Sequence, residues 1–218
     1  MTNKEIQRKR IMSYFIDAAD KIIEQEGING ITIRKVADYA GYNSATLYNY
    51  FENIDHLTFF AAMRYIKEYA LALPDYIKDS KNVLDKYLLI WECFCIYSFE
   101  KPEIYYAIFF AKLDNDLEEY VKDYYKLFPE ELGSPSEGLS TMLLKHNIYD
   151  RAMTTLDVCV SEGFIRQEDA YELNELTLLI YESILSRVIR NKIDYNEATE
   201  KTMKYIKQIL KAYVLKEA

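Results

Sequence analysis

Apolar residues recur three and four positions apart along most of the chain, which is the spacing of one buried helix face. Ile11, Phe15, Ala18, Ala19 and Ile22 predict a first helix from about Lys4 to Glu26, stopped by Gly27. Thr32 is placed to cap a second helix with its hydroxyl, and Ile33, Val36 and Ala37 form that helix's inner face. Ala40 and Gly41 end it. Asn43 then suits the cap of a short third helix, Ser44 to about Phe51, with Leu47 and Phe51 turned inward. From Asp55 the predicted helices lengthen. One runs to about Pro74 and the next from Asn82 to about Phe99. Pro102 suits the first turn of another at Glu103 to Leu113. A helical stretch covers Asp116 to Leu127, and Pro129 to Gly138 reads as the longest loop. Helices follow at Leu139 to Ser161, Glu168 to about Asn191, and Asn196 to about Lys216.

The chain therefore divides into a unit of three short helices, residues 1–53, and a larger helical unit, residues 54–218. The helix from Glu168 adds to this picture. Leu173, Leu176, Ile180, Ile184 and Val188 form one stripe, and Leu178, Leu179, Tyr181 and Leu185 widen it around the cylinder. A helix apolar nearly all round is covered on two sides. Only one further helix follows, so a second subunit is the expected cover. A central place within its own domain is the alternative.

Composition supports the all-α class. Six glycines and four prolines in 218 residues are too few for the turns of an all-β fold. No apolar run approaches the ~18 residues that span a bilayer, and no apolar segment follows the basic N-terminus as in a secretory signal. The expected location is the cytoplasm, with no membrane partner. Cys93, Cys95 and Cys159 set up no disulfide framework and read as core thiols, with no metal and no cofactor expected. The net charge of −8 argues against nucleic acid until its distribution is considered. Residues 1–51 carry seven Lys or Arg against six Asp or Glu, so the acidity lies downstream. Lys4, Arg8, Lys9 and Arg10 concentrate positive charge in the first ten residues.

The segment TIRKVADYAGYNSATLYNYF is the arrangement in which the second helix of a pair enters the major groove. With Leu47 and Phe51 committed to the core, the opposite face offers Ser44, Ala45, Tyr48 and Asn49, with Tyr42 and Asn43 at the helix start. Ser44 and Ala45 are small enough for a close approach, and free amides at a helix start favour phosphate. Tyr48 and Tyr50 can donate phenolic hydrogen bonds to phosphates. Asn49 can bond a base edge, adenine above all. Arg34 and Lys35 are placed for the backbone across the groove. Tyr48, Tyr50, Arg34 and Lys35 are thus expected to supply affinity, and Asn49, Asn43, Tyr42 and Thr46 discrimination. By spacing alone, an amphipathic helical hairpin with surface tyrosines fits equally well.

Ala18-Ala19, Glu26-Gly27, Thr32-Ile33, Val36-Ala37, Ala40-Gly41, Thr46-Leu47-Tyr48-Asn49-Tyr50-Phe51 and Leu57 closely resemble the DNA-binding domain of TetR/AcrR-type regulators. The resemblance implies phosphate contacts from Tyr48 and Tyr50, and a cap at Thr32 that also touches the DNA backbone. The sequence departs from the family pattern at Tyr42, at Tyr50, and at Asn53 and Ile54, where a lysine is common. More of the affinity is then expected from a basic Lys4–Arg10 arm. The resemblance further implies that residues 54–218 form a ligand-binding and dimerisation domain. A homodimer through the last two helices (168–191 and 196–216), a palindromic double-stranded DNA operator and a small-molecule effector follow from it. Effector binding would move the fourth helix and weaken the grip on DNA.

The effector itself has no signature. Trp91, Phe94, Tyr105, Phe109, Tyr149 and Met153 fall on predicted core helices and, with His146, are the candidates to line an apolar pocket. Each also fits as plain core. No phosphate-binding, nucleophile-elbow or metalloprotease motif is present, and the two histidines lie far apart. An enzyme is not expected. The sequence reads as a ligand-responsive transcriptional regulator, most simply a repressor. The alternative is a helical protein-interaction module without specific DNA binding.

Overall fold

The computed structural model describes residues 2–110, 117–133, 136–145 and 147–215. Among them every regular element is helical, as the spacing predicts. The order is α1 (Asn3–Glu26), α2 (Ile33–Ala40), α3 (Ser44–Leu47), α4 (Ile54–Ile77), α5 (Val83–Glu100), α6 (Pro102–Phe109), α7 (Leu117–Leu127), α8 (Glu137–Leu143), α9 (Ile148–Ser161), α10 (Gln167–Ile189) and α11 (Tyr195–Tyr213). Short 3-10 turns lie at Ile28–Gly30 and Pro129–Glu131.

Capping side chains punctuate the chain. Thr32, Asn43, Asn53, Asn82 and Asn147 each accept a hydrogen bond from the backbone amide three residues on. Each satisfies a first-turn N–H that has no partner inside its helix. Gly41 closes α2 in the left-handed region at φ 75°, where a side chain would be strained.

α1 begins within a residue of its expected start, where Thr2 and Glu5 form a reciprocal capping box, so the basic Lys4–Arg10 segment is part of the helix. Later boundaries differ from the sequence reading. The third helix is regular only from Ser44 to Leu47. Beyond it the amides of Asn49 and Tyr50 bond three residues back, to Thr46 and Leu47, so the chain tightens into turns. α4 passes through Pro74 and ends at Ile77, because Leu73 and Ile77 are buried and hold the last turn in place. The single helix expected at Leu139 to Ser161 is two, broken between Leu143 and Asn147, where Asn147 caps α9.

α1 packs on α2 and α4, α2 on α3, and α4 on α5, α6 and α7. α10 lies against α9, α11 and α6, and α11 against α5. One continuous apolar core results, from Phe15 and Phe51 in the short helices to Leu185 and Ile206 in the last two. On α10, Leu173, Tyr181, Ile184 and Leu185 are buried within the chain, whereas Leu179 is 56% exposed. Cys93, Cys95 and Cys159 are buried free thiols. No helix among the described residues is long and apolar enough to cross a membrane.

Candidate nucleic-acid interface and effector cavity

Phe15, fully buried on α1, fixes the reading unit from beneath. Its ring lies 5.2 Å from Tyr42, 6.1 Å from Tyr50 and 6.2 Å from Phe51. Leu47 is also fully buried, so α3 has one possible rotation about its axis. That rotation leaves Ala45, Tyr48 and Asn49 exposed and Ser44 and Thr46 half-buried. Tyr48 is 57% exposed although it is a large aromatic.

The remaining expected contact residues divide by what already holds them. Thr32 is exposed and caps α2 through the Lys35 amide. Arg34 is free but for a loose 4.0 Å approach to Asp38. Lys35 turns back to α1, where its Nζ lies 2.5 Å from a Glu26 carboxylate oxygen and 3.4 Å from the Gly30 carbonyl. Tyr42 and Tyr50 are half-buried against Phe15. Asn43 uses its Oδ1 to accept from the Thr46 amide at 2.8 Å and the Thr46 hydroxyl at 3.0 Å.

The N-terminal cations are structural as well as electrostatic. Arg8 donates through Nη1 to the Asn49 carbonyl at 3.5 Å and through Nη2 to the Tyr50 carbonyl at 3.3 Å, which ties α1 to the end of the reading turn. Its guanidinium also sits 5.7 Å from the Tyr50 ring centroid. Lys9 pairs with Glu130 at 2.7 Å, joining α1 to the larger unit.

His56 marks the junction between the two units. It is buried in the first turn of α4 and stacks flat on Tyr120 of α7, with centroids 4.1 Å apart. The Glu52 amide donates to His56 Nδ1 at 3.3 Å, and the Tyr120 hydroxyl donates to Glu52 Oε2 at 2.8 Å. Burial pushes the His56 pKa below its usual value, against the pull of Glu52 and Asp123. The unfolded chain, with a His pKa near ~6.5, takes up the proton first. Stability from this site is therefore complete above about pH 6.5 and is lost as pH falls through the lowered folded value. His56→Gln is expected to flatten that part of the loss. Melting curves at about pH 7.5 and about pH 5.5 check this, and equal slopes in the two proteins would remove His56 as its source.

A second feature lies within the larger unit. A cavity of about 30 Å³ is lined by Tyr69 of α4, Trp91 and Phe94 of α5, Met142 of α8, and Arg151 and Thr155 of α9, among others. Trp91 and Phe94 were expected at such a site. Tyr105 and Phe109 stand behind it, each 5.6 Å from Phe94 in ring contact. Tyr149 and Met153 are half-buried on α9 outside the lining, and the Tyr149 carbonyl accepts from Asn174. His146 lies outside the described residues.

Arg151 escaped the sequence reading. It is 6% exposed and reaches the open end of α8, where Nε donates to the Lys145 carbonyl at 2.9 Å and Nη2 to the Leu143 carbonyl at 2.6 Å. Among the described residues, its buried Nη1 has no hydrogen-bond partner. The signal was present in the chain. Ile148, Ala152, Leu156 and Cys159 make one buried stripe of α9, and Arg151 sits in the middle of it.

Comparison with known proteins agrees with this geometry. Residues 15–59 match the model for bacterial regulatory proteins of the tetR family. An uncharacterized HTH-type transcriptional regulator of Haemophilus influenzae is 28% identical over 87 residues, 40% of this chain. The match spans 46% of that relative's length. Among solved structures, a TetR transcription regulator from Haloarcula marismortui aligns over 94% of this chain and 98% of its own, at TM-score 0.56 and 15% identity. Thermus thermophilus FadR, a TetR-family repressor solved with lauroyl-CoA, aligns over 95% and 97%, at TM-score 0.59 and 13% identity. At these identities the two structures speak for the fold alone.

Proposed function

We propose that the chain, whose residues 15–59 match the model for bacterial regulatory proteins of the tetR family, is a ligand-responsive DNA-binding regulator of transcription, acting as a repressor. The observation that carries this reading is the exposed row Ala45, Tyr48 and Asn49, held outward by buried Leu47 and Phe51. Residues 1–53 form the reading head, and residues 54–218 bind the effector and a second copy of the chain.

On DNA, Tyr48, Arg34 and Thr32 contact phosphates, and Asn49 and Ser44 meet base edges. Tyr42, Tyr50 and Asn43 act chiefly by holding this face in place, since each is already packed or hydrogen-bonded. Lys35 reaches phosphate only by leaving Glu26. The exposed Leu179 on α10, with Leu176 and Ile180 half-buried beside it, gives the second copy an apolar surface. Two heads so joined read half-sites ~34–36 Å apart or a multiple of it.

The effector enters between α4, α5, α8 and α9. At about 30 Å³ the cavity has room for little more than a water molecule, whereas ligand sites run to roughly 300–1,000 Å³. Filling it requires the walls to part. One wall is Tyr69 on α4, the helix that begins directly after the reading head. A ligand that prefers the parted walls shifts the spacing of the two heads by its differential affinity for the two states.

Two substitutions test the DNA reading. Tyr48→Ala removes one hydrogen bond to a charged group and is expected to weaken all sequences alike, by roughly ten-fold. Asn49→Ala is expected to cost ~1–3 kcal/mol at one base pair and to relax the preference there. Anisotropy titrations on a matched set of duplexes separate the two patterns. Unchanged affinity in Tyr48→Ala would show that this face does not meet DNA.

A further inference from the structure

We infer that the effector is an organic anion with an apolar body, and that Arg151 is the residue that receives its oxyanion. This rests on the reading of the cavity as an effector site.

A guanidinium stays protonated in a protein interior, so Arg151 carries a full positive charge although it is 6% exposed. Burying such a charge is costly unless it is paired. No carboxylate pairs with Arg151 among the described residues. The groups that act on it electrostatically are the phenols of Tyr125, Tyr69 and Tyr105. Burial pushes all three phenols up from their usual range, so they remain neutral at physiological pH. The two carbonyls at the end of α8 satisfy Nε and Nη2 with partial charge only. The face of Phe109, 5.0 Å from the guanidinium carbon, adds a weak attraction.

Two donors are thus used to fix the guanidinium plane, while Nη1 is left without a partner beside a cavity that Arg151 itself lines. The other walls are mostly apolar, Ile90, Trp91, Phe94, Met142, Ile148 and Ala152, with the hydroxyl-bearing Tyr69 and Thr155 among them. Largely apolar walls with one oriented cation describe a receptor for a carboxylate, or an equivalent oxyanion, on an aromatic or aliphatic body. Had Arg151 served only to close α8, an aliphatic residue with water at the helix end would leave no buried charge. The unpaired donor is the part that helix closure does not explain.

Binding the anion also accounts for the coupling. The oxyanion bonds α9 through Arg151, and the body displaces the aromatic side chains of α4 and α5.

The test uses the full-length protein and three carboxylate probes, 2-naphthoate, benzoate and decanoate. Each is paired with the uncharged alcohol of the same skeleton, and binding is measured by calorimetry. At least one acid is expected to bind about ten-fold or more tighter than its alcohol. The preference is expected to vanish in Arg151→Gln and to survive in reduced form in Arg151→Lys. Circular dichroism confirms that each variant is folded. Equal binding of acid and alcohol to the unmodified protein, which requires no variant, overturns the proposal. So does failure of all three acids to bind at millimolar concentration, or an unchanged preference in Arg151→Gln. Operator binding is measured in parallel without any probe. In the unmodified protein, no acid preference with intact operator binding counts against the anion site alone, and acid preference without operator binding counts against the regulator reading alone.

Discussion

A glutamate in place of Ala45 is expected to abolish operator binding while leaving the fold as stable as before. Ala45 is the second residue of α3, after the Asn43 cap and Ser44, and it is exposed. A carboxylate in the first turn of a helix meets the positive end of the helix dipole and gains ~0.3–1 kcal/mol. The melting temperature should therefore hold or rise slightly. In the groove the same carboxylate faces phosphate oxygens, and like charges brought together at an interface cost several kcal/mol. The expected loss is on the order of a hundred-fold or more in affinity. The opposite signs on stability and binding separate a groove contact from a general perturbation. A variant that binds as well as the parent would place α3 away from DNA.

Phe15→Ala is expected to act the other way, through folding. The ring is fully buried and touches Tyr42, Tyr50 and Phe51. Truncating a buried phenylalanine to alanine costs ~3–5 kcal/mol, a large part of the ~5–15 kcal/mol by which a typical domain is stable. Because its neighbours are the residues that orient α3 and the turn after it, DNA binding should fall with the stability of the reading head. Denaturant titration and anisotropy on the same sample check the pair of effects. A loss of under ~1 kcal/mol, with affinity unchanged, would mean that Phe15 does not set the pose of the reading turn.

The reading head was the most legible part of the chain because its signals are local. Thr32 and Asn43 cap the helices predicted for them, Gly41 takes the left-handed turn, and the inward positions of Leu47 and Phe51 follow from spacing. What escaped depends on contacts far along the chain. Pro74 looks like a helix end until Leu73 and Ile77 are seen to be buried around it. The break before Asn147 is held partly by Arg151, whose donors reach back to Leu143 and Lys145. Arg8 reads as loose basic charge, yet it bonds the carbonyls of Asn49 and Tyr50 some forty residues away. Lys35, whose position on α2 suits a phosphate contact, is paired with Glu26 of α1 in the chain without DNA.

The proposed effector site was the least legible part. Aromatic residues at helical spacing fit core and pocket equally well, so the pattern picked out Trp91 and Phe94 together with Tyr105 and Phe109 behind them. The discriminating residue is polar. An arginine inside the buried stripe of α9 breaks the apolar pattern at one position, and that break marks the cavity wall.

Specific DNA recognition by the face around Tyr48 is decided by anisotropy on the duplex upstream of the protein's own gene. Nanomolar binding that survives excess random competitor and weakens steeply as salt rises is the expected result. Binding no tighter than to random duplex would contradict it.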